Sequence, residues 1–224
     1  KIRLLQGPGN CLGLFVPVRK RPISVKVPGK TGAFFGLWTT TGGMWMVDHY
    51  YSANPAAAHR RQEFRYTFRG REYRFRTDAG VFSKGHLDRG TRLLMEAMDL
   101  DGVERALDLG CGYGVLGIVI AKERPGARVA MVDPNGRAVE LAKENAELNG
   151  VAVDVRQGEG CAPFAGEKFD YIITNPPIRA GKKVVFDLVD QAYAHLEEGG
   201  RFLAVIRTQQ GAASLAKKIA EVFG

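Results

Sequence analysis

Leu107-Asp108-Leu109-Gly110-Cys111-Gly112-Tyr113-Gly114-Val115-Leu116-Gly117 decides the fold. A short apolar run enters a cluster of glycines, and an apolar stretch from Val115 to Ala121 leaves it, which is the pattern of a buried strand turning sharply into a helix. Glycines at such a turn let the backbone approach a ligand that a Cβ would hold away. The loop alone is ambiguous. Gly112-x-Gly114-x-x-Gly117 also satisfies the dinucleotide fingerprint of a dehydrogenase, and a tight turn with no ligand has the same residues.

Outward from this turn, strand and helix alternate from residue 77 onward, which predicts an α/β fold with a doubly wound, mostly parallel, Rossmann-like sheet. Strands are expected at 105–109, 128–132, 151–156, 169–174 and 201–206. Helices are expected at 87–98, 115–122, 137–149 (closed by Gly150 as its C′ residue), 184–196 and 213–223. Before residue 77 the period becomes two. Phe64, Tyr66 and Phe68 alternate with Arg65, Thr67 and Arg69, and beyond Gly70 Tyr73 and Phe75 alternate with Glu72, Arg74 and Arg76, which predicts a β-hairpin turning near Arg69-Gly70. Its arginine face suits a phosphate backbone and equally suits an edge guarded against aggregation.

The chain has 224 residues and a formal charge of +8, but the charge is uneven. Residues 1–76 carry 14 Lys/Arg against 3 Asp/Glu, whereas residues 77–224 carry 18 against 21. Residues 1–46 hold seven basic residues, no acidic one and no sustained period, and are expected to be unstructured. Because Met44 and Met46 follow Gly42-Gly43, whose codons can spell a purine-rich ribosome-binding sequence, this segment reads as a translated leader; a basic arm touching RNA is the alternative. Three parts result: the segment 1–46, an extension 47–76 with the hairpin, and a core 77–224.

Composition excludes a wholly disordered chain and a collagen-like repeat. The longest apolar stretch is far short of the roughly 20 residues that cross a bilayer. Cys11, Cys111 and Cys161 form no Cys-x-x-Cys, and His49, His59, His86 and His195 show no metal-ligand spacing, so a cytoplasmic setting without disulfide or metal is expected.

Two carboxylates sharpen the glycine loop. Asp108 precedes the first glycine, where it would repel a pyrophosphate and favour a cationic amino group. Asp133 ends the next strand, where a carboxylate accepts the hydroxyls of a ribose. An adenosine with an amino-acid tail satisfies both, which points to S-adenosylmethionine held by Asp108, Gly110, Gly112, Gly114 and Asp133, with Glu159 placed to reach the adenine amino group. The fourth strand runs into Asn175-Pro176-Pro177-Ile178. One proline would stop a strand; two hold the turn rigid at the end of a central parallel strand, where such sheets bind ligands. An exocyclic amine is a poor nucleophile because its lone pair is delocalised. The Asn175 side-chain oxygen and the Pro176 carbonyl would accept its N–H groups and stabilise the charge that develops as it attacks. Lys182 and Lys183, following this turn, suit a target phosphate.

Asp108-x-Gly110-x-Gly112-x-Gly114, Asp133 and Asn175-Pro176-Pro177 resemble the motifs of class I S-adenosylmethionine-dependent methyltransferases that act on amino nitrogens. His49-Tyr50-Tyr51-Ser52, Gly80-Val81-Phe82-Ser83, Leu87-Asp88-x-Gly90-Thr91 and Asn175-Pro176-Pro177-Ile178 resemble, more narrowly, the small-subunit ribosomal RNA guanine-N2 methyltransferase C family, over residues 48–223. The resemblance implies guanine-N2 methylation of ribosomal RNA or of the small subunit, with cofactor contacts on Asp108, Gly110, Gly112, Asp133 and Asn175. An adenine-N6 or protein glutamine-amide acceptor, and a noncatalytic RNA-binding relative, are the alternatives. Three departures stand out. Ile178 occupies a position that is often aromatic and stacks on the target base, leaving Phe82 as a candidate ring; Glu159 stands where Asp is usual; and the two strands that normally close the sheet after the last helix are missing.

Overall fold

A run of apolar residues without alternation belongs at the centre of a sheet covered on both faces. In the computed structural model, which describes residues 3–7, 11–16, 58–81, 86–207 and 211–224, four such runs, at 105–109, 128–133, 169–174 and 202–206, form that centre. In chain order the strands are β1 (Arg3–Gly7), β2 (Cys11–Val16), β3 (Gln62–Phe68), β4 (Arg71–Thr77), β5 (Arg105–Leu109), β6 (Arg128–Asp133), β7 (Asp154–Gln157), β8 (Phe169–Thr174) and β9 (Leu196–Arg207). The helices are α1 (Arg89–Ala97), α2 (Val115–Glu123), α3 (Gly136–Leu148), α4 (Lys182–His195) and α5 (Ala212–Phe223).

The main sheet has the order β1-β2-β9-β8-β5-β6-β7, and β9, β8, β5, β6 and β7 are mutually parallel. Strand order reverses at β5, whose neighbours are β6 on one side and β8 on the other, and open α/β sheets bind ligands at such a reversal. Successive residues of the central strands serve opposite faces. Ala106, Met131 and Ile173 pack with α1, α2 and α3, while Leu107, Leu109, Val132 and Ile172 pack with α4 and α5. The expected doubly wound α/β sheet is what the structure shows.

Local chemistry sets the helix ends. The Asn135 side chain caps α3 by accepting from Arg137 N–H at 3.0 Å and Ala138 N–H at 3.3 Å. At the other end Gly150, at φ 68°, donates to Glu147 O and Val151 donates to Ala146 O, a Schellman closure. That closure explains why β7 starts at Asp154 and not at residue 151 as expected: the Val151 N–H is still finishing the helix.

The β3–β4 hairpin forms its own two-stranded sheet, turning at Arg69 (φ 48°) and Gly70 (φ 75°), the doubly left-handed geometry of a two-residue hairpin. Phe64 pairs with Phe75 and Tyr66 with Tyr73, and Tyr73 and Phe75 are fully buried against α2 and α3. The outer arginines are paired: Arg65 with Glu72, Arg74 and Arg76 with Glu63, and Arg61 with Glu144. The hairpin therefore presents a lattice of alternating charge. Among the described residues one edge of β4 meets no strand. Asn145 and Asn149, a turn apart on α3, bond both the N–H and C=O of Arg76 and Arg74 respectively, at 2.7 to 3.1 Å, and so close that edge with side chains.

At the other border of the main sheet the structure departs from expectation. Part of the segment 1–46 is in strands: β2 pairs antiparallel with β9, and β1 with β2. These strands are five and six residues long and are separated by Pro8-Gly9-Asn10, too short to establish a period but bounded by turn residues. Among the described residues β2 and β1 continue the sheet beyond β9. Among the described residues no helix is long and apolar enough to cross a membrane.

Candidate functional site

The expected site residues gather at the carboxyl ends of β5, β6 and β8. β5 delivers Asp108 into the core at 1% exposure. Its Oδ2 accepts the Gly117 N–H at 2.8 Å, while Oδ1, also buried, has no partner among the described residues. Burial pushes this carboxyl up to about 7, the Gly117 hydrogen bond opposing and the nearby Asp133 charge adding. Asp133, the last residue of β6, accepts the Gly112 N–H at 2.8 Å and the Asn135 N–H at 2.9 Å, and burial raises it to about 6. The glycine loop hangs between these carboxylates. Gly110 and Cys111 both donate to Val132 O at 2.9 Å, which joins the loop to β6.

Two kinds of glycine occur here. A Cβ at Gly110 or Gly112 would meet nothing within 4 Å, so the loop faces open space. A Cβ at Gly117 would stand 2.2 Å from Met131 Sδ, so that glycine serves the close packing of α2 on β6. Cys111 lies in the loop with its thiol raised well above the usual range by burial and by Asp133 and Asp108, and it donates to Gly112 O at 3.5 Å.

The Asn175 turn adjoins this loop through one bond. Thr174, the residue before Asn175, donates its hydroxyl to the carbonyl of Leu109, the residue before Gly110, at 2.7 Å. Asn175 is half-buried and Pro176 buried. The Asn175 Nδ2 donates to Asp88 Oδ1 and Oδ2 at 3.2 and 3.4 Å and to Thr91 Oγ1 at 3.2 Å. Its Oδ1 accepts no hydrogen bond among the described residues. Ile178 opens a short 3₁₀ turn, Ile178–Ala180, and packs against the core cluster that includes α4 and α5.

Other expected residues stand further out. Glu159 is exposed beyond β7, whose end is tied to β6 by Gly158 N–H donating to Asp133 O at 3.1 Å. Lys182 and Lys183 are exposed at the start of α4, and Lys182 lies over the Phe186 ring. Phe82 lies outside the described residues; earlier in the chain, Asn135 Nδ2 donates to Gly80 O at 2.9 Å and Arg137 to Ala79 O at 2.6 Å. Sequence reasoning missed the roles of Asp88, Thr91, Asn135, Asn145 and Thr174. Asn135 carried a findable signal, a capping residue before a helix. Asn145 did not: its Nδ2 also donates to Tyr113 O in the glycine loop, at 2.8 Å.

Among the described residues no cluster of His, Cys, Asp or Glu could hold a metal. The buried, unpartnered Asp108 oxygen and the open glycine loop suit a ligand whose near end is cationic.

Comparison with known proteins shows likeness in sequence and in fold. An uncharacterized protein of Bacillus subtilis, YbxB, is 40% identical over 181 residues, 80% of this chain and 90% of that one. The ribosomal RNA small subunit methyltransferase C of Haemophilus influenzae is 38% identical over 130 residues, 56% of this chain but 39% of that one. The solved T. thermophilus 16S rRNA N2 G1207 methyltransferase, in complex with AdoMet and guanosine, matches with a TM-score of 0.65 and 30% identity over 73% of this chain and 46% of that one. This chain thus spans under half the length of either methyltransferase. The model of the methyltransferase small domain family matches residues 72–224, from the second hairpin strand through α5, and the chain belongs to that family.

Proposed function

We propose that this chain transfers the methyl group of S-adenosylmethionine to an exocyclic amine, guanine N2 of small-subunit ribosomal RNA, in the cytoplasm. The observation that carries the reading is the Thr174–Leu109 bond, which sets the Asn175 turn beside a glycine loop whose buried Asp108 oxygen lacks a partner. In this reading Asp108 and the loop from Gly110 to Gly114 hold the cationic amino-acid end, and Asp133, Glu159 and Asn175 complete the cofactor contacts. Asp133 accepts from the ribose through lone pairs that Gly112 and Asn135 leave unused. The cofactor supplies an electrophilic methyl group on a sulfonium.

The chain's contribution is placement. Asn175 Oδ1 and the Pro176 carbonyl accept the two N–H groups of the target amine, so its lone pair turns toward the methyl and the growing positive charge meets two oxygens. Pro177 fixes the turn. The proton lost afterwards passes to solvent, since a methylated ammonium on a conjugated ring is acidic enough to need no strong base. Lys182 and Lys183 meet the RNA backbone. Ile178, packed into the core, does not stack on the base, which leaves the ring of Phe82 for that part.

The same position favours one competing acceptor, a protein glutamine amide, which needs no aromatic platform. The experiment supplies labelled S-adenosylmethionine to small subunits assembled on unmodified ribosomal RNA and digests the product to nucleosides. Label in N2-methylguanosine is expected, together with a loss of about 100- to 1000-fold in Asn175→Ala. Label in protein, or Asn175→Ala turning over like the wild type, overturns the reading.

A further inference from the structure

We propose that Asp88 is a positioning residue which dictates which end of the Asn175 side-chain amide faces the acceptor. The inference rests on the reading of Asn175 as the group that accepts the amine's N–H.

Asp88 is the N-cap of α1, and capping holds its carboxylate still. Oδ1 accepts the N–H groups of Gly90 and Thr91 at 2.8 and 3.2 Å, and Oδ2 accepts the Thr91 hydroxyl at 2.5 Å. Both oxygens also lie against Asn175 Nδ2. A carboxylate only accepts, and the Thr91 hydroxyl, its proton committed to Asp88, can only accept from Asn175. All three atoms facing Asn175 therefore demand the NH2 end. The flipped amide would set oxygen against three oxygens and turn a donor toward the site, where it would oppose the target N–H.

Close approach makes this possible. A Cβ on Gly90 would stand 3.0 Å from Asp88 Oδ1, 3.1 Å from Val205 Cγ1 and 3.3 Å from Asn175 Nδ2. The first turn of α1 is thus seated between β9 and the turn after β8, at a spacing that suits glycine. Donation to a carboxylate also draws charge along the amide toward Oδ1 and makes it a better acceptor. Leu87-Asp88-x-Gly90-Thr91 is in these terms a cap at one end and an amide clamp at the other.

The test is Asp88→Asn, since Asn caps a helix as well as Asp does and α1 is retained. The replacement presents an NH2 of its own toward Asn175. The side-chain amide signals of Asn175 in a nitrogen-15 spectrum, identified as the pair missing from Asn175→Ala, should shift. On an unmodified small-subunit ribosomal RNA transcript kcat should fall about 100-fold, the loss typical of one misplaced polar group at a reacting centre. KM for RNA should stay within about twofold. Exchanging the pair, Asp88→Asn with Asn175→Asp, restores an oxygen to the site against a donor behind it and should recover about tenfold of the loss. Thr91→Val, which leaves the cap residue untouched, should lower kcat in the same direction by a smaller factor.

An unmoved Asn175 signal in Asp88→Asn overturns the proposal, and so does a wild-type kcat in Asp88→Asn and Thr91→Val while Asn175→Ala is inactive. If Asn175→Ala itself retains wild-type turnover, the catalytic reading of Asn175 fails and the role of Asp88 fails with it. That result is distinguishable because it requires no change at Asp88.

Discussion

Asp108→Asn should make the cofactor-free protein more stable at pH 8 and less able to bind its cofactor. In the folded state burial holds the Asp108 carboxyl at about 7, against 3.8 ordinarily. Between those values the folded chain keeps a proton that the unfolded chain has released, so the stability this group confers is complete below about pH 4 and lost as pH rises through 7. At 1.36 kcal/mol per pH unit, the ionised carboxylate costs the folded state about 4 kcal/mol at pH 8. An amide removes that cost and keeps the Gly117 hydrogen bond through its oxygen, but it puts an NH2 where Oδ1 has no partner, which costs about 1 to 3 kcal/mol. The variant should gain about 1 to 3 kcal/mol at pH 8, visible as a higher Tm by circular dichroism, and the gain should vanish or reverse by pH 5. Calorimetry on the same samples should show weaker S-adenosylmethionine binding. A variant less stable than wild type at pH 8, or a Tm difference constant from pH 5 to 8, would refute the reasoning.

Other substitutions test the frame around the site. Asp133→Ala removes the acceptor for the Gly112 N–H as well as the expected ribose contact, and should weaken S-adenosylmethionine binding by at least about tenfold in calorimetry; wild-type affinity removes Asp133 from the site. Because Asp133 is raised to about 6, wild-type cofactor affinity should fall as pH drops through that value and the carboxylate takes up a proton. Gly117→Ala drives a Cβ into the fully buried Met131; overpacking of about 1 to 3 kcal/mol, less the roughly 1 kcal/mol helix preference of alanine, predicts a net loss of up to about 2 kcal/mol in urea denaturation. Asn145→Ala strips partners from the Arg76 N–H and C=O and the Tyr113 C=O, and should cost roughly 2 to 4 kcal/mol, with faster hydrogen exchange at the Arg76 amide.

What the sequence made legible follows from the range of the interactions involved. Strands β5 and β8 begin and end at the expected residues because an apolar run bounded by polar and turn residues is a local signal. The hairpin turn was readable at Arg69-Gly70 for the same reason. The glycine loop and the Asn175 turn announced themselves as motifs, and the sheet order explains why residues so far apart in sequence meet. The strands β1 and β2 did not announce themselves, since the pair joins the sheet only through β2 on β9, some 190 residues onward. Nor did Arg61 and Arg76 declare their shared partner Glu144, which belongs to a helix that only the fold brings alongside. Asn145 and Asn149 look in sequence like the wet face of α3, and their part as a substitute strand depends wholly on where β4 lies.

The hydrogen bond from Thr174 to Leu109 carries a consequence for heating. It joins the last residue before each of the two loops, inside the sheet and at 2% exposure, so the bases of both loops stay together until the strands themselves separate. An enzyme whose two reactants are cradled on independent flaps loses turnover well below its melting point. Here the rate should keep rising with temperature until the sheet unfolds, and inactivation and melting should coincide in a single transition.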